Sequence, residues 1–503
     1  MRGLLVGELL DRGLVARPHS PAATLGAEAV TFAELDDRAR RTTDGLSALG
    51  VTTGQSVVWW SGPSLRALDV FVACARLGAV FAPVNPSLSV PEVAATLDLL
   101  QPSHMIVDRQ HLEPALQATS DRPVRLVAVG ADRDGRWADL DRSRSGDPLA
   151  PLPLPDESSA HIAYLTSGST GVPKAVLVSH RASWLRSAPG GGTFAAPLRG
   201  EGVVCTFPLF HYGGWHYVME AWQNMTAVHL VARADAEHVV AAVERRRPSA
   251  LYCIPAVWER VVDPLFGRAD LTSIQHADTG TSPVAGELVE RIKRRLPGTT
   301  TTILYGSTEA GRMAALQDHD LERRAGSVGR PAFPCSLWTD AEGEVWVRTP
   351  AVMNGYVGGP AGSGLVDGAY ASGDTGRLDE DGYLYLTGRT SELIRSGGEY
   401  VAPSEVEAAL RGAPGVDDVA VVGVPDPRWG EVVCAVVVAT PGCRPALPEL
   451  RAYVRDRLAP YKHPRRLALV DVIPRTLATG QVQRTRLGRE VATPSGEGQP
   501  AAT

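Results

Sequence analysis

The chain has 503 residues, of which 44% are hydrophobic and 21% are charged, and its formal net charge is −6. This composition is that of an ordinary globular protein, and the length allows roughly two to four domains. Because the lysines and arginines form no long basic runs, the charge pattern excludes an electrostatic surface for nucleic acid or for an anionic membrane.

The cysteines and the N-terminal segment indicate the compartment. The six cysteines are scattered and contain no CxxC pair, so we expect neither a zinc site nor a disulfide framework. The first fifteen residues interrupt their apolar positions with Glu8, Asp11 and Arg12, which is untypical of a signal peptide. No apolar run approaches the ~20 residues that span a bilayer. We therefore expect a cytoplasmic protein without a membrane span and without a nucleic-acid partner.

Helical and strand patterns alternate along most of the chain. Thr31 and Glu34 form a capping box that predicts the start of a helix, and Gly50 predicts its end. The strand-like segments SVVWW and VFAPV flank a helix-like LRALDVFVACARLGA. The same succession recurs through VHLVA, AEHVVAAVERRR and ALYCI, and again from a helix near 285–295 into TTILYG. This alternation predicts an α/β fold with a substantially parallel sheet.

The pattern changes at about residue 390. A short helix, SEVEAALR, is followed by the strands VAVVGV and VVCAVVVA, another helix and a final strand. We therefore predict a small α+β domain after a large α/β domain. The tail at 491–503 has little to bury and is predicted to be disordered.

The segment at 164–180, YLTSGSTGVPKAVLVSH, places a loop rich in Gly and Ser between two apolar strands. Glycines let backbone N–H groups close around phosphate oxygens, hydroxyls add donors, and a lysine neutralises charge. The segment lacks the GxxxxGK[ST] spacing of a Walker A loop, and taken alone it fits a flexible surface loop about as well. Its candidate phosphate-binding residues are Thr166, Ser167, Gly168, Ser169, Thr170 and Lys174.

TSGSTGVPK resembles the signature loop of the adenylate-forming superfamily, which contains acyl-CoA synthetases, adenylation domains of peptide synthetases and luciferases. Further motifs of that superfamily follow in order: FPLFHYGG (207–214), YGSTEA (305–310), GSVGRP (326–331), YASGD (370–374), GRTSELIRSGGEYVAPSEVE (388–407) and DPRWGE (426–431). The resemblance covers nearly the whole chain. It implies a large N-terminal α/β domain at 1–390 that binds adenylate and acyl groups, a hinge near Ser391, and a small mobile C-terminal α+β domain at 391–490.

The resemblance also implies ATP or AMP, coenzyme A and Mg²⁺ as cofactors. Thr308 would bind the α-phosphate, and Glu309 would hold Mg²⁺, a hard cation that prefers oxygen ligands. Asp374 would accept hydrogen bonds from the ribose hydroxyls, and Arg389 would add a donor. Adenine would lie between Tyr305 and the TGTSP segment at 279–283. The other residues implied at the nucleotide are Gly280, Thr281, Ser282, Gly306 and Ser307.

The acyl pocket is expected beside His211, which would also border the nucleotide and the coenzyme A tunnel. A histidine in an aromatic run is, however, often a packed core residue. Several glycines near it would leave room for a bulky apolar acid, although they fit a role in turns equally well. The residues of this predicted acyl pocket are His211, Gly213, Gly214, Trp215, Gly280, Gly306 and Gly311.

Coenzyme A is expected on the small domain. Two glycines in SGGEY would let a strand pass close to the pantetheine arm, and two aromatic residues match positions where related CoA ligases hold the nucleotide by stacking. A histidine stands where some relatives carry an arginine for a phosphate, so Lys462 or Arg465 is an alternative there. The predicted residues are Gly397, Gly398, Glu399, Trp429, Tyr461, Lys462 and His463.

One departure from the family concerns catalysis. The family carries a lysine near the C-terminus that bridges the substrate carboxylate and the α-phosphate during adenylation, and this chain has Gln481 there. Losing that charge should cost about 3–4 kcal/mol, or 10²–10³ in rate. We therefore predict an enzyme that is impaired in adenylation but still forms thioesters from an acyl-adenylate, supplied by a separate adenylating enzyme. Alternatively, Arg484 or Arg475 supplies the missing charge.

The predicted activity is that of an acid–thiol ligase of the AMP-forming type, acting on a carboxylic acid or acyl-adenylate and coenzyme A. Three alternatives remain: a complete ATP-dependent ligase, an adenylating enzyme that loads a carrier protein, and a non-catalytic binder of acyl-AMP or coenzyme A. Trp429 and Tyr461 argue against the carrier-protein enzyme, and the complete set of phosphate-binding residues argues against a non-catalytic binder.

Overall fold

The computed structural model describes residues 3–129, 138–140, 153–167, 173–188, 201–396, 399–426, 428–476 and 480–492. Among the helices in these ranges, none has the length and apolar character that a membrane crossing requires. The cytoplasmic location stays a prediction.

The helices of the described residues include those that the sequence predicts at 31–50, 65–79, 236–247, 285–295 and 404–411. In chain order they are α1 (Asp11–Ala16), α2 (Phe32–Ala48), α3 (Arg66–Leu77), α4 (Val90–Leu100), α5 (Leu112–Thr119), α6 (His180–Arg186), α7 (Tyr212–Gln223), α8 (Ala236–Arg246), α9 (Pro255–Val261), α10 (Gly286–Arg295), α11 (Pro403–Leu410), α12 (Leu447–Val454) and α13 (Arg484–Ala492).

The strands alternate with these helices in the first two thirds of the chain. They are β1 (Pro21–Leu25), β2 (Glu28–Thr31), β3 (Ser56–Trp60), β4 (Val80–Pro83), β5 (His104–Val107), β6 (Arg125–Ala128), β7 (Ala138–Asp139), β8 (Ala160–Ser167), β9 (Pro173–Ser179), β10 (Val203–Cys205), β11 (Val228–Leu230), β12 (Ala250–Tyr252), β13 (His276–Gly280), β14 (Ile303–Ser307), β15 (Gly311–Leu316) and β16 (Arg330–Pro331). The later strands are β17 (Ser336–Thr339), β18 (Glu344–Arg348), β19 (Gly355–Tyr356), β20 (Leu365–Val366), β21 (Ala369–Leu378), β22 (Leu384–Arg389), β23 (Ile394–Ser396), β24 (Glu399–Val401), β25 (Val416–Asp426), β26 (Gly430–Ala439) and β27 (Arg466–Leu469).

Two large sheets organise the first compact unit, which comprises residues 1–337 and 347–370. One sheet has the order β16-β15-β14-β13-β12-β10-β11-β1-β2, and the other has the order β19-β9-β8-β4-β3-β5-β6-β7. Their central neighbours pair in parallel, as β3 does with β4 and β5, and β12 with β10 and β13. The predicted α/β fold with substantially parallel sheet is therefore confirmed.

Local sequence signals explain the helix ends. At the start of α2, the Thr31 hydroxyl accepts a hydrogen bond from the Glu34 backbone N–H, and the Glu34 carboxylate accepts one from Thr31 N at 2.8 Å. This is the predicted capping box, which satisfies backbone donors that the first helical turn leaves unpaired. After the helix, Gly50 has φ +91°, a backbone conformation that glycine adopts without steric cost.

The second compact unit comprises residues 338–346 and 371–503. Its main sheet has the order β24-β23-β26-β25, and β27 pairs in parallel with β26. The sheet packs its valines against α11 and α12 in a core that includes Val406, Val421 and Val433. The boundary between the two units falls near residue 370, whereas the hinge is predicted near Ser391. The hinge therefore stays a prediction.

The end of the chain differs from the prediction in one respect. Helix α13 continues to Ala492, so Val491 and Ala492 are helical, and the predicted disordered tail begins too early. The helix persists because Leu487 is buried against the sheet of the second unit beside Val422 and Ile473. Residues 493–503 lie outside the described residues.

Candidate active site

Strands β8 and β9, which flank the Gly- and Ser-rich segment, pair antiparallel so that Thr166 lies opposite Lys174. The two predicted strands are therefore confirmed. Lys174 Nζ lies 5.1 Å from the centre of the Tyr356 ring. The backbone of Ser167 ends β8. Gly168, Ser169 and Thr170 lie outside the described residues, so their role at a phosphate stays a prediction.

Tyr356 connects this hairpin to Glu309. The Tyr356 hydroxyl donates to Glu309 Oε1 at 3.3 Å, and Tyr370 hydrogen-bonds with the same carboxylate. Burial, followed by the negative charge of Glu309, raises the pKa of Tyr356 to about 12. Both phenols therefore stay protonated and act as donors. The structure thus brings Lys174 and Glu309, which lie far apart in the sequence, next to the same tyrosine.

Arg186, which sequence analysis missed, holds the backbone of the YGSTEA motif. This buried guanidinium donates to Thr308 O at 2.9 Å, to Glu309 O at 2.6 Å and to Ala351 O at 2.7 Å. The planar fork of an arginine suits this arrangement because its donors point in fixed directions. Arg186 therefore fixes the backbone that carries the predicted phosphate and metal residues.

Close packing explains Gly306 of this motif and Gly311, which directly follows it. At Gly311, which has φ +75°, an added Cβ would lie 2.9 Å from Arg186 Cγ. At Gly306 an added Cβ would lie 2.2 Å from Gly311 O. Neither contact is one that a real side chain tolerates, so both positions need glycine without any ligand present. Ser307, in the same turn, accepts a hydrogen bond from Ala310 N at 3.1 Å.

His211 caps helix α7 and stacks on an aromatic side chain. Its Nδ1 accepts a hydrogen bond from Gly213 N at 3.1 Å, and its ring lies parallel to Phe207 at 5.2 Å between centroids. Desolvation lowers the pKa of His211 to about 4, so the imidazole is neutral near pH 7. Nδ1 is then an acceptor and Nε2 carries the proton.

The other predicted acyl-pocket residues are held by the protein itself. An added Cβ at Gly213 would lie 2.5 Å from the Phe207 ring, and at Gly214 it would lie 2.6 Å from Pro208 O. At Gly280 it would lie 2.2 Å from Leu304 O. Trp215 is fully buried and stacks on Phe71 at 4.1 Å. Packing within the protein therefore explains the three glycines. Their small size does not indicate how large the bound acid is.

The residues predicted around adenine lie at the ends of two adjacent parallel strands. Gly280 ends β13 and lies opposite Leu304 of β14, directly before the half-buried Tyr305. Thr281 follows with φ +66° and donates to Gly280 O at 2.6 Å, and Ser282 follows it, half-buried. The carboxyl ends of parallel strands are the usual position of a ligand in α/β folds.

Asp374 and Arg389 meet within the second unit. They are register partners on β21 and β22, and Arg389 Nε lies 2.8 Å from Asp374 Oδ1. The Asp374 backbone N–H also donates to Ser372 Oγ at 3.1 Å. The two predicted ribose-binding residues are therefore neighbours, as the resemblance implies, and their contact with a ribose stays a prediction.

An aromatic and basic cluster surrounds Trp429 in the second unit. The guanidinium carbons of Arg465 and Arg428 lie 4.1 Å and 5.4 Å from the centre of a Trp429 ring. Lys462 is bound to Glu405 at 2.6 Å, and Tyr461 is exposed. The backbone of Glu399 lies in β24, whereas Gly397 and Gly398 lie outside the described residues.

His463 has a structural partner. It is only 8% exposed, and its Nε2 lies 2.9 Å from Leu458 O. A buried imidazole bonded to a carbonyl presents little surface to a phosphate, so of the two predicted alternatives Arg465 is better placed beside Trp429.

Gln481 lies at an exposed bridge between two short segments. Its backbone N–H donates to Thr476 Oγ1 at 3.1 Å, and its carbonyl accepts from Thr476 N at 2.8 Å. Arg475 forms an ion pair with Asp418, in which Arg475 Nη2 lies 2.9 Å from both carboxylate oxygens. Arg484 is largely buried and bound to Glu392 at 2.7 Å and to Glu407 at 2.5 Å. Both arginines predicted to replace the missing charge are therefore held by carboxylates.

Comparison with known proteins gives the class of this fold and site. Residues 10–357 match the AMP-binding enzyme family, and residues 405–479 match the AMP-binding enzyme C-terminal domain. The chain is 34% identical to an indoleacetate–CoA ligase of Aromatoleum aromaticum, across 97% of this chain and 98% of the relative. It is also 34% identical to a feruloyl-CoA synthase of Amycolatopsis sp., across 96% and 99% of the two chains.

A solved structure has the same fold. The amide bond synthetase McbA from Marinactinospora thermotolerans has a TM-score of 0.85 and 28% identity, across 96% of this chain and 99% of that chain. The fold and motifs thus define an enzyme that handles adenylates. The chain belongs to the AMP-binding enzyme family, with acyl-CoA ligases among its relatives. The predicted fold, a large N-terminal and a small C-terminal domain, and the predicted class of acid–thiol ligase are confirmed at this level.

Proposed function

We propose that this ligase joins an aromatic carboxylic acid to coenzyme A, and that it forms the thioester from acyl-AMP far better than it forms acyl-AMP from ATP. It would then take acyl-adenylate from a separate adenylating enzyme. The proposal is supported by the predicted match of Gln481 to the family's lysine position, and by Arg475 and Arg484, which are both bound to carboxylates.

The absence of the lysine charge should affect adenylation and not thioester formation. Adenylation gathers negative charge between the substrate carboxylate and the α-phosphate, where a cation stabilises the transition state. A glutamine is neutral and shorter than a lysine. To replace that cation, Arg484 would have to break its ion pairs with the half-buried Glu392 and the largely buried Glu407, which would cost free energy. Attack of a thiol on acyl-AMP does not need that cation.

Two observations support an aromatic acid as the substrate. The relatives at 34% identity are named for indoleacetate and for the feruloyl group, which are both aromatic. The region beside His211 is lined by aromatic rings, since Phe207 stacks on His211 and lies 4.9 Å from Tyr252. An aromatic acid fits both observations.

The acceptor is proposed to be coenzyme A. Arg465 and Arg428 beside Trp429 combine positive charge with a stacking surface, which suits a phosphorylated adenine nucleotide. A carrier protein presents the pantetheine arm without that nucleotide. Partly exposed aromatic and basic side chains at this position therefore favour the free cofactor.

Glu309 and Thr308 are the residues that would hold Mg²⁺ and the α-phosphate. Within the described residues, no group of three or more His, Cys, Asp or Glu side chains could hold a metal ion by itself. A single carboxylate such as Glu309 fits Mg²⁺ when phosphate oxygens and water supply the other ligands. When bound, the ion would neutralise phosphate charge, while Arg186 keeps the Glu309 backbone in place.

Two assays test the proposal together. The first follows coenzyme A thioester formation from synthetic aryl-adenylates without ATP, and the second follows ATP–pyrophosphate exchange with the free acids. We expect rapid thioester formation and weak exchange in the wild type. Gln481→Lys should raise exchange by about 10²–10³, whereas Gln483→Lys adds the same charge two residues away and should not.

Strong exchange by the wild type would mean a complete ATP-dependent ligase and would refute the impaired half-reaction. Transfer to a carrier protein with no transfer to coenzyme A would refute the proposed acceptor. If the protein binds the adenylate tightly but transfers the acyl group to neither acceptor, the remaining alternative is a non-catalytic binder of acyl-AMP.

A further inference from the structure

A buried polar cluster lies between α7 and β15 in the first unit. It consists of His216 and Glu220, one turn apart on α7, and Arg312 on β15. Arg312 Nη2 lies 2.8 Å from His216 Nε2 and 3.9 Å from Glu220 Oε1. The side chains of His216 and Glu220 are 6% and 3% exposed, and that of Arg312 is 9% exposed. A charged group so deep in a domain needs partners or a function.

The hydrogen bonds fix the protonation of the histidine. Because a guanidinium only donates, Arg312 makes His216 Nε2 an acceptor, and the proton must be on Nδ1. Desolvation, followed by the charge of Arg312, lowers the pKa of His216, which keeps this ring neutral. His216 Nδ1 and Glu220 Oε2 are both buried and have no hydrogen-bond partner among the described residues. The cluster therefore offers one buried donor and one buried acceptor.

Two aromatic side chains lie beside His216. The rings of Tyr217 and Tyr212 lie 5.1 Å and 5.7 Å from the His216 ring. Their hydroxyls are also buried without a hydrogen-bond partner in the described part of the chain. Burying polar atoms without partners costs free energy, and native proteins keep few of them. Several within one cluster point to a group from outside the protein.

The cluster borders the region predicted for the acyl group. Arg312 follows Gly311 directly and is the register partner of Gly306. On the other side, Tyr217 stacks with Phe207, which in turn stacks on His211. Arg186, which holds Thr308 and Glu309, lies 5.2 Å over the Tyr212 ring. The cluster and the two tyrosines beside it therefore lie next to residues that border the adenylate motifs and His211.

We infer that the acid carries a hydroxyl group on its aromatic ring, remote from the carboxylate, and that Glu220 and His216 recognise it. The hydroxyl would donate to Glu220 Oε2 and accept from His216 Nδ1, while Arg312 orients the histidine. This inference rests on the proposed function and names the substrate class more narrowly. An acid that lacks the hydroxyl would leave both atoms unpaired, which is the condition under which a site discriminates strongly.

The experiment compares matched pairs of synthetic aryl-adenylates, 4-hydroxycinnamoyl-AMP with cinnamoyl-AMP and 4-hydroxyphenylacetyl-AMP with phenylacetyl-AMP. Thioester formation with coenzyme A is measured without ATP. We expect the hydroxylated member of a pair to have a kcat/KM about tenfold or more above its partner. Glu220→Leu should reduce that ratio to about one, and Glu220→Gln, which keeps an acceptor oxygen, should leave an intermediate ratio.

Met219→Leu, a volume-conserving change at the neighbouring position of α7, is the control and should keep the wild-type ratio. Equal or greater activity with the unsubstituted adenylates overturns the inference but leaves the ligase activity standing. Failure of all four adenylates to react counts instead against the proposed function. A hydroxyl preference that survives in Glu220→Leu also overturns the inference, because the preference then arises elsewhere. The wild-type comparison alone decides the matter if a variant does not fold.

Discussion

A single buried arginine joins two distant parts of the candidate active site. Arg186 ends helix α6, and its three hydrogen bonds reach residues 122 to 165 positions further along the chain. Hydrogen bonds from a charged donor contribute more than neutral ones. Arg186 is a positioning residue, since it touches the backbone of Thr308 and Glu309 rather than a reacting atom.

Replacing Arg186 by Lys should lower kcat/KM for thioester formation by about 10- to 100-fold, because a lysine keeps the charge but not the fork of donors. Arg186→Met should lower it further, so the partial rescue by Lys distinguishes positioning from mere folding. Steady-state kinetics with an aryl-adenylate provides the measurement. Arg181→Lys, on the exposed side of the same helix, is the matched control and should change kcat/KM less than about twofold. Equal activity of the Lys and wild-type enzymes would contradict the role of Arg186.

Gly311 should be as sensitive as Arg186. An alanine there places its Cβ 2.9 Å from Arg186 Cγ at φ +75°, so the arginine must move and the backbone is strained by about 1 kcal/mol or more. We expect Gly311→Ala to lower activity through the same displacement. A double-mutant cycle with Arg186→Met should therefore be clearly non-additive. Additive losses would show that the two positions act separately.

Sequence analysis could identify Glu309 but not Arg186, for a physical reason. The YGSTEA motif is contiguous, so its residue types and spacing are visible in one segment. Arg186 is defined only by carbonyls that folding brings to it, and an arginine at a helix end has many surface roles. The same holds for Glu220 and Arg312, which are 92 positions apart in the chain and meet across two elements.

At the scale of elements, a buried histidine on strand β11 forms a hydrogen bond with a residue of strand β1. Thr24 and His229 are register partners, the Thr24 hydroxyl lies 2.9 Å from His229 Nδ1, and His229 Nε2 lies 2.7 Å from Glu201 O. Burial lowers the pKa of His229 from its ordinary value near 6.5 to about 4. The folded state therefore binds fewer protons than the unfolded state between these two values.

His229 should consequently contribute stability above pH 6.5 that is lost as the pH falls towards 4. The loss between pH 7 and pH 5 is about 2 kcal/mol for such a shift. In His229→Gln, which has no titrating ring, the melting temperature should fall less over this range than in the wild type. Thermal denaturation of both proteins at pH 7, 6 and 5 measures the difference. Parallel pH curves for the two proteins would rule out this role for His229.

The elements that were predicted correctly have local sequence signals. The capping box at Thr31 and the valine-rich strand at 56–60 each occupy a few consecutive residues, and both are present in the structure. Sheet order follows from packing between distant segments, as where β11 lies between β1 and β10. Neither hydrophobic period nor turn residues record such neighbours, so the order of strands could not be predicted.

At the scale of the whole molecule, the two units have separate cores. Leu97 is buried in a core of the first unit and Leu410 in a core of the second. A domain with its own core can unfold on its own. Leu97→Ala and Leu410→Ala each remove the same buried groups, at a cost of about 2–5 kcal/mol.

Scanning calorimetry should therefore show that each variant lowers a different transition. Leu97→Ala should shift the transition with the larger enthalpy, since enthalpy of unfolding grows with the number of residues. Leu410→Ala should shift the smaller one and leave the larger one in place. A single transition that both variants lower alike would mean that the two units unfold as one.

The ion pairs of Arg475 and Arg484 also bear on the direction of the chemistry. A catalyst that slows a step slows its reverse to the same degree, because both pass through one transition state. Under the proposed function, pyrophosphate would therefore convert bound acyl-AMP back to ATP only slowly. Each adenylate that this enzyme accepts would be committed to the thioester or to hydrolysis, and accumulated pyrophosphate would not inhibit it by reversal.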